Sequence, residues 1–399
     1  MAAAVPPCHL LTRRPPRAQA AALLGLLPLV LAARWVHSFQ LQGCKDSAPA
    51  PVIGSRSLGL PRRGGVYLRY VVGNGLCNQL NGHINAFTLA DALGVHGILV
   101  PPATHRTSFN HAALDLSPYL SAPAGTLLDV AAIRQAHAPR GIHVLEEGLQ
   151  EEEGEWSGCA QARLPPAPQT QIGTQLTLAE AVARSRALIS AAWAERGLQA
   201  CVVLHAGITF FSLRTASTAN MTAEVASRLA FPPGIEALAG RAVDAIGGPF
   251  NGVHLRVEKD MGLDPKATVK TYVGLMQGMA FDAYTPLYVA SGLLSYNDTM
   301  SLREVSQHMV SRGVASRVVV KEEILPAADL AGLLSEQRAL LDLLVLAGAQ
   351  RFVGHGISTF SHYAAQYQIL RGGGRGVAAL VPMPGNEDWH DFLDIVPTA

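Results

Sequence analysis

Residues 66–102 read VYLRYVVGNGLCNQLNGHINAFTLADALGVHGILVPP, and the order of the pieces in this stretch sets the fold class. Val66 to Val72 reads as a buried strand. The glycine turn Gly73-Asn74-Gly75 follows it. Leu80 to Leu93 then reads as a helix, and Gly97 to Pro101 as a second short strand. A strand, a glycine loop, a helix and another strand form the opening unit of a doubly wound α/β sheet.

The same alternation extends outward. Leu127 to Gln135 and Ile142 to Leu145 form a weaker α/β stretch, and Glu146 to Pro168 reads as a polar, Pro-rich surface loop. Leu176 to Glu195 is expected to be helical and Ala200 to His205 a strand. The segment IGGPFN at 246–251 reads as a hinge, after which the alternation restarts. Strands are expected at Gly252 to Val257, Pro286 to Ala290, Ser316 to Val320 and Arg351 to Val353. Helices are expected at Thr271 to Met279, Leu302 to Arg312 and Leu330 to Ala347. Residues 65–247 and 248–399 thus read as two Rossmann-like domains. Residues 1–64 precede them as a tail, an apolar segment and a stem.

Composition narrows the class. A chain of 399 residues exceeds what one core usually serves, and 49% hydrophobic against 15% charged residues supplies a large core. A net charge of +1, with no basic block interleaved with aromatics, points away from nucleic acid. Arg13, Arg14 and Arg17 precede a run from Ala18 to Ala33 that is apolar except for Gln19. Extended through Trp35 and Val36, it approaches the ~20 residues that span a bilayer. Basic residues on its N-terminal side describe a type II signal anchor that sends the remainder to the lumen. A cleaved signal peptide and a transit peptide are the alternatives. Two sequons, at Asn220 and Asn297, fit a secretory address. None of the five cysteines forms a CxxC pair.

Four segments hold the candidate site. In Gly73-Asn74-Gly75-Leu76-Cys77-Asn78-Gln79 the glycines permit close ligand approach. No acidic residue follows the next strand, so the dinucleotide fingerprint is incomplete. Asn78 and Gln79 are amides able to bond sugar hydroxyls, and Asn78 also reads as a helix cap. In His254-Leu255-Arg256-Val257-Glu258-Lys259-Asp260, His254 and Arg256 share one strand face near its C-terminal end. A guanidinium there suits a phosphate, or a structural carboxylate. Asp342 lies in a helix apolar on nearly all sides, where it needs either a nucleobase edge or an internal Arg. After Arg351 to Val353, Gly354 and Gly356 form a turn, and Ser358 and Thr359 open a helix whose N-terminus reads as an anion site or a plain cap. There is no HExxH, GxSxG, Walker A or Asp-x-Asp motif.

Together these segments, from about Gly65 to Arg371, resemble the GDP-fucose protein O-fucosyltransferase family. VHLRVEKDM is similar to its plant-type members, and LLDLLVLAGAQRFVGHGISTFS to its animal-type members. The resemblance implies a GT-B glycosyltransferase, with two Rossmann-like domains facing a cleft, that inverts at the sugar and requires no metal or other cofactor. It implies GDP-fucose as donor, a protein or glycan acceptor, and a Golgi or ER membrane location with a lumenal catalytic region. By residue, it implies Gly75 and Asn78 beside the sugar, with Asn78 and Arg256 catalytic. His254 and Arg256 would bind the nucleotide and diphosphate, and Asp260 would order that site. Asp342 would read the guanine or ribose, and Ser358, Thr359 and Phe360 would close on the diphosphate and base. One family branch carries a Glu base in the first loop, which this loop lacks. Two other functions remain open: transfer from another sugar nucleotide such as UDP-rhamnose to a cell-wall glycan, and non-catalytic glycan binding.

Overall fold

The structure is a computed structural model. It describes residues 62–107, 119–148, 156–164, 169–170, 173–208, 211–212, 216–257, 264–293, 302–356, 358–372 and 377–381. The expected anchor and stem, Asp260 and the sequon at Asn297 lie outside these residues.

The first lobe runs β1 (Val66–Val71), α1 (Leu76–Leu93), β2 (Gly97–Val100), β3 (Ala103–Arg106), β4 (Tyr119–Ala122), α2 (Val130–His137) and β5 (His143–Glu146). It continues with β6 (Ala160–Arg163), β7 (Gln169–Thr170), β8 (Gly173–Thr177), α3 (Leu178–Arg196), β9 (Val202–Ile208), β10 (Phe211–Ser212), α4 (Ala216–Arg228) and α5 (Pro233–Ile246). The second lobe runs β11 (Asn251–Leu255), α6 (Pro265–Gly278), β12 (Leu287–Ser291), α7 (Leu302–Ser311), β13 (Val318–Val319) and α8 (Lys321–Ile324). It ends with α9 (Ala327–Ala331), α10 (Ser335–Leu346), β14 (Arg351–His355), α11 (Thr359–Gly372) and β15 (Val377–Val381).

Each lobe is built on a five-stranded parallel sheet, ordered β5-β2-β1-β9-β6 in the first and β13-β12-β11-β14-β15 in the second. Tyr67, Leu68 and Tyr70 of β1 are all buried although they alternate between faces. Helices must therefore cover both sides of the sheet, as parallel sheets require. In both sheets the strand order reverses beside the first strand, between β1 and β9 and between β11 and β14.

The structure corrects three boundaries. Helix α1 starts at Leu76, four residues before Leu80, with Gly75 as its extended cap. Asn78 is thus inside the first turn and does not cap it. The expected helix from Leu330 to Ala347 is two helices, because the backbone is extended at Leu334. Gln337 Oε1 accepts from the Leu334 N–H at 2.9 Å and stabilises the break. The expected loop between Glu146 and Pro168 contains an edge strand: β6 pairs in parallel with β9. A disulfide from Cys159 to Cys201 fixes it there. Its short Ala-Gln-Ala-Arg alternation is too weak a signal to stand out among charged and proline-rich neighbours.

One buried cluster runs through both lobes. Leu68, Ile84 and Phe87 belong to it, and so do Tyr288, Leu341, Leu343 and Phe352. A second cluster, including Val253, Tyr272, Met276 and Val289, lies in the second lobe. Helix α10 enters the shared cluster with its apolar residues. At its polar start, Gln337 Nε2 donates to Thr126 O of the first lobe at 3.0 Å.

Candidate functional site

In open α/β sheets ligands bind beyond the carboxyl ends of the strands, where the strand order reverses. The residues after β1 and those after β11 and β14 line one cavity of about 590 Å³. Gly75, Leu76, Cys77, His105 and Arg106 line it from the first lobe. His254, Arg256, Lys321, Glu336, Asp342 and Ser358 to Phe360 line it from the second.

His254 ends β11 on one face, while Leu255 on the other is fully buried. Its Nδ1 lies 2.7 Å from the Ser361 hydroxyl, which also accepts from the His355 N–H at 2.8 Å. With that hydroxyl assigned as donor to Nδ1, the His254 proton sits on Nε2. Burial, with Arg256 adding to it, lowers the His254 pKa to about 3, so the ring is neutral near pH 7. Phe360 packs on it with ring centroids 4.4 Å apart. Arg256 follows two residues on, its main-chain N–H donating to the Tyr272 hydroxyl at 3.2 Å. That hydroxyl donates in turn to His254 O at 2.8 Å, which holds the strand end in place.

Ser358 and Thr359 open α11 on the opposite wall of the crevice. A side chain at Gly354 would place its Cβ 2.6 Å from Ser361 Cβ, so glycine is what lets α11 close onto β14. A permanent cation from β11 and a helix N-terminus from α11 therefore border one crevice. That combination suits a phosphate-bearing ligand.

Asp342 is buried and lines the same cavity, but its carboxylate is already engaged. Oδ1 accepts from the Tyr288 hydroxyl at 2.6 Å, and Oδ2 lies 2.7 Å from Lys321 Nζ. Burial acts to lower the Lys321 pKa, but the carboxylates of Asp342 and Glu322 outweigh it and the net shift is upward. The internal partner is a lysine, not the arginine expected. With its charge balanced inside the protein, Asp342 does not need a base edge to offset its burial.

The first-lobe wall differs from expectation. Gln79 is fully buried, and its Nε2 donates to Asn74 O and Thr104 O at 2.9 and 2.8 Å. Its Oε1 accepts from Thr104 N–H at 3.0 Å. The amide thus braces the turn, and no hydrogen-bonding group of it is left for a sugar. Asn78 is half-buried and is not among the cavity-lining residues, whereas Gly75 is. At the start of α1 the Leu76 N–H donates to Glu336 Oε2 at 2.7 Å. Burial raises the Glu336 pKa, opposed by the main-chain N–H of Leu76 and by the charge and main-chain N–H of Arg106.

Sequence reasoning thus missed Ser361, Lys321 and Glu336. Ser361 had a signal, one helical turn after Ser358. Glu336 had one too, as an acid opening an apolar helix.

Two reversal points that meet in one cavity, with a fixed cation and a helix N-terminus bordering one crevice, belong to the chain of a glycosyltransferase. Residues 174–370 match the model of the GDP-fucose protein O-fucosyltransferase family. No curated protein matches the sequence. Among solved structures, POFUT1 in complex with GDP-fucose is similar in two crystal forms. One has a TM-score of 0.50 at 14% identity, covering 81% of this chain and 99% of that one. The other has a TM-score of 0.50 at 13% identity, covering 80% and 99%. At that identity the likeness concerns the fold alone. The NodZ alpha-1,6-fucosyltransferase soaked with GDP-fucose is looser, with a TM-score of 0.42 at 14% identity over 76% of this chain and 92% of that one.

Proposed function

We propose that the protein transfers fucose from GDP-fucose to a protein or glycan hydroxyl, inverting the anomeric centre, in a GT-B arrangement. The observation that carries this reading is the crevice between β11 and β14, with Arg256 on one side and Ser358 to Phe360 on the other. Arg256 and the start of α11 take the diphosphate, and Phe360 with neutral His254 packs beside the nucleotide. As the bond from sugar to phosphate breaks, negative charge grows on the departing oxygen. Arg256 stabilises that charge more than the ground state, which is the condition for catalysis. With a protein cation in this role and no Asp-x-Asp pair in the sequence, no metal is required for the leaving group. Asp260, close in sequence to Arg256, stays in the reading as an ordering residue. Asp342 is assigned to holding Lys321 at the cavity wall. Gly75 allows the acceptor to approach, and Asn78 is kept as a sugar contact only on the strength of the family resemblance.

The Cys159–Cys201 disulfide supports a secretory address, since such bonds persist in oxidising compartments. Asn220 is exposed, as a glycan acceptor must be. With the Arg13 to Val36 segment these features fit a Golgi or ER membrane protein whose catalytic region is lumenal.

The test is a donor screen with the purified protein. Release of GDP from GDP-fucose, undiminished by EDTA, is the expected result. Preferential turnover of UDP-rhamnose replaces the donor. EDTA-sensitive activity restored by manganese overturns the metal-free mechanism. No turnover of any sugar nucleotide leaves a glycan-binding protein.

A further inference from the structure

Among the described residues, four that line the cavity carry an imidazole or a carboxylate: His105, His254, Glu336 and Asp342. Asp342 is committed to Lys321 and Tyr288. His254 holds Ser361 through Nδ1, and burial makes its ring a weak base with a pKa of about 3. His105 is 2.9 Å from the Thr126 hydroxyl through Nε2, and burial lowers it to about 4. Glu336 differs from all three. Among the described residues, no salt bridge ties it to a cation. Burial raises its pKa against the main-chain N–H of Leu76 and the charge of Arg106, so the net shift makes it the stronger base. Its known donors are the main-chain N–H groups of Leu76 and Arg106 and a long contact of 3.5 Å from the Ser335 hydroxyl. A carboxylate offers about four lone-pair sites, so it retains room for one more proton donor.

Position adds to chemistry. Glu336 meets the first lobe at Leu76, whereas the phosphate end of the crevice is at Arg256 and Ser358 in the second lobe. In an inverting displacement the incoming oxygen and the leaving phosphate lie on opposite faces of the sugar carbon. We infer that Glu336 is the general base that takes the proton from the acceptor hydroxyl. The inference rests on the donor assignment above. The acceptor oxygen bonds to C1 of fucose and its proton passes to the Glu336 carboxylate. The bond from C1 to the β-phosphate oxygen breaks, and its electron pair leaves with GDP. Water can stand in for the acceptor, so the step is observable as hydrolysis of GDP-fucose to GDP and fucose.

The experiment compares the full-length protein with its E336Q variant. Glutamine keeps an oxygen for the Leu76 N–H but cannot act as a carboxylate base. Expected is GDP binding within about twofold of wild type, an unchanged melting temperature, and hydrolysis slowed on the order of 100-fold or more. Wild-type hydrolysis should fall as pH drops through the Glu336 pKa, while the residual rate of E336Q should show no such limb. If E336Q fails to fold, E336D keeps the charge one methylene further back, and should keep GDP binding while losing turnover. Hydrolysis by E336Q above about a tenth of the wild-type rate overturns the inference, as does an acid limb that persists in E336Q. Loss of GDP binding and melting temperature together with rate reduces Glu336 to a strut between the lobes and also overturns it. Wild-type protein that binds GDP and hydrolyses GDP-fucose while E336Q matches it refutes the base alone. Wild-type protein that does neither refutes the donor assignment and the base together.

Discussion

The molecule contains two strand–glycine turn–helix junctions that look alike in sequence and are used differently. After β1, the turn through Asn74, which adopts a left-handed φ of 64°, leads into α1. There the N–H of Leu76 is met by Glu336, a carboxylate of the protein itself. After β14, the turn leads into α11, whose Ser358 and Thr359 border the cavity beside Arg256. A helix N-terminus attracts anions because its first N–H groups lack partners and its dipole is positive there. The comparison teaches that such an end is a ligand site only where the fold has not supplied its own anion. Sequence marks the glycines of both junctions, but the acid that fills the first comes from 260 residues away.

The largest effect should separate the two junctions by chemistry. Arg256→Ala should cost about 3–4 kcal/mol of transition-state stabilisation, a loss of a few hundred-fold in turnover. Arg256→Lys should recover little, because an ammonium lacks the planar fork. A folded Arg256→Ala enzyme with wild-type turnover would remove the second junction from the mechanism.

Behind the second junction, Asp342→Asn should leave Lys321 without its buried counter-charge, with only the part-exposed Glu322 at 3.3 Å beside it. Breaking such a buried pair costs about 3–5 kcal/mol, read as a lower midpoint in denaturant. The preference for GDP over UDP should persist in calorimetry. An unchanged midpoint with a narrowed preference would return Asp342 to the nucleobase.

The glycines should also divide. Gly354→Ala drives a Cβ into Ser361 and should destabilise by about 1–3 kcal/mol. Nothing lies within 4 Å of a Cβ at Gly73, so Gly73→Ala should change stability by less than about 1 kcal/mol. Equal midpoints for the two variants would show that close packing does not set the second turn.

A neutral histidine lies near each junction, His83 in α1 and His254 in β11, where it packs against Ser361 and Phe360 of α11; desolvation lowers both to about 3. Their unfolded value is near 6.5, so the unfolded chain binds the proton first. Stability is complete above about pH 6.5 and falls as pH drops from there towards 3. The slope for one such group is about 1.4 kcal/mol per pH unit. A thermal series from pH 7 to pH 5 should show the decline, and His83→Asn should flatten it. A flat wild-type series would mean that neither ring is kept neutral by the fold.

Much of this was legible beforehand, for identifiable reasons. Val66 to Gly97, the strands of the second lobe and the apolar helix around Asp342 carry strong local patterns, because both faces of a parallel sheet are covered. His254, Arg256 and Ser358 sit at strand ends and a helix start, places that pattern alone can locate. Lys321 was not legible, because its importance lies in a partner 21 residues on that only the fold brings near. Gln79 looked like a ligand group because sequence cannot show the Thr104 main chain that occupies it. The strand at Ala160 was hidden because an edge strand needs little hydrophobic signal once a disulfide holds it.

The shared core has a consequence for biosynthesis. The helix that fills part of the first lobe's interior and satisfies the start of α1 is encoded 260 residues downstream of that start. Ribosomes add about 5–20 residues per second, so the start of α1 waits roughly 13–50 s for Glu336 to be made. For that time Leu68, Phe87 and their neighbours lack the part of their buried cluster that the second lobe supplies. A chain cut anywhere between β9 and α10 keeps the five strands of the first lobe but exposes the apolar surface that α10 would cover.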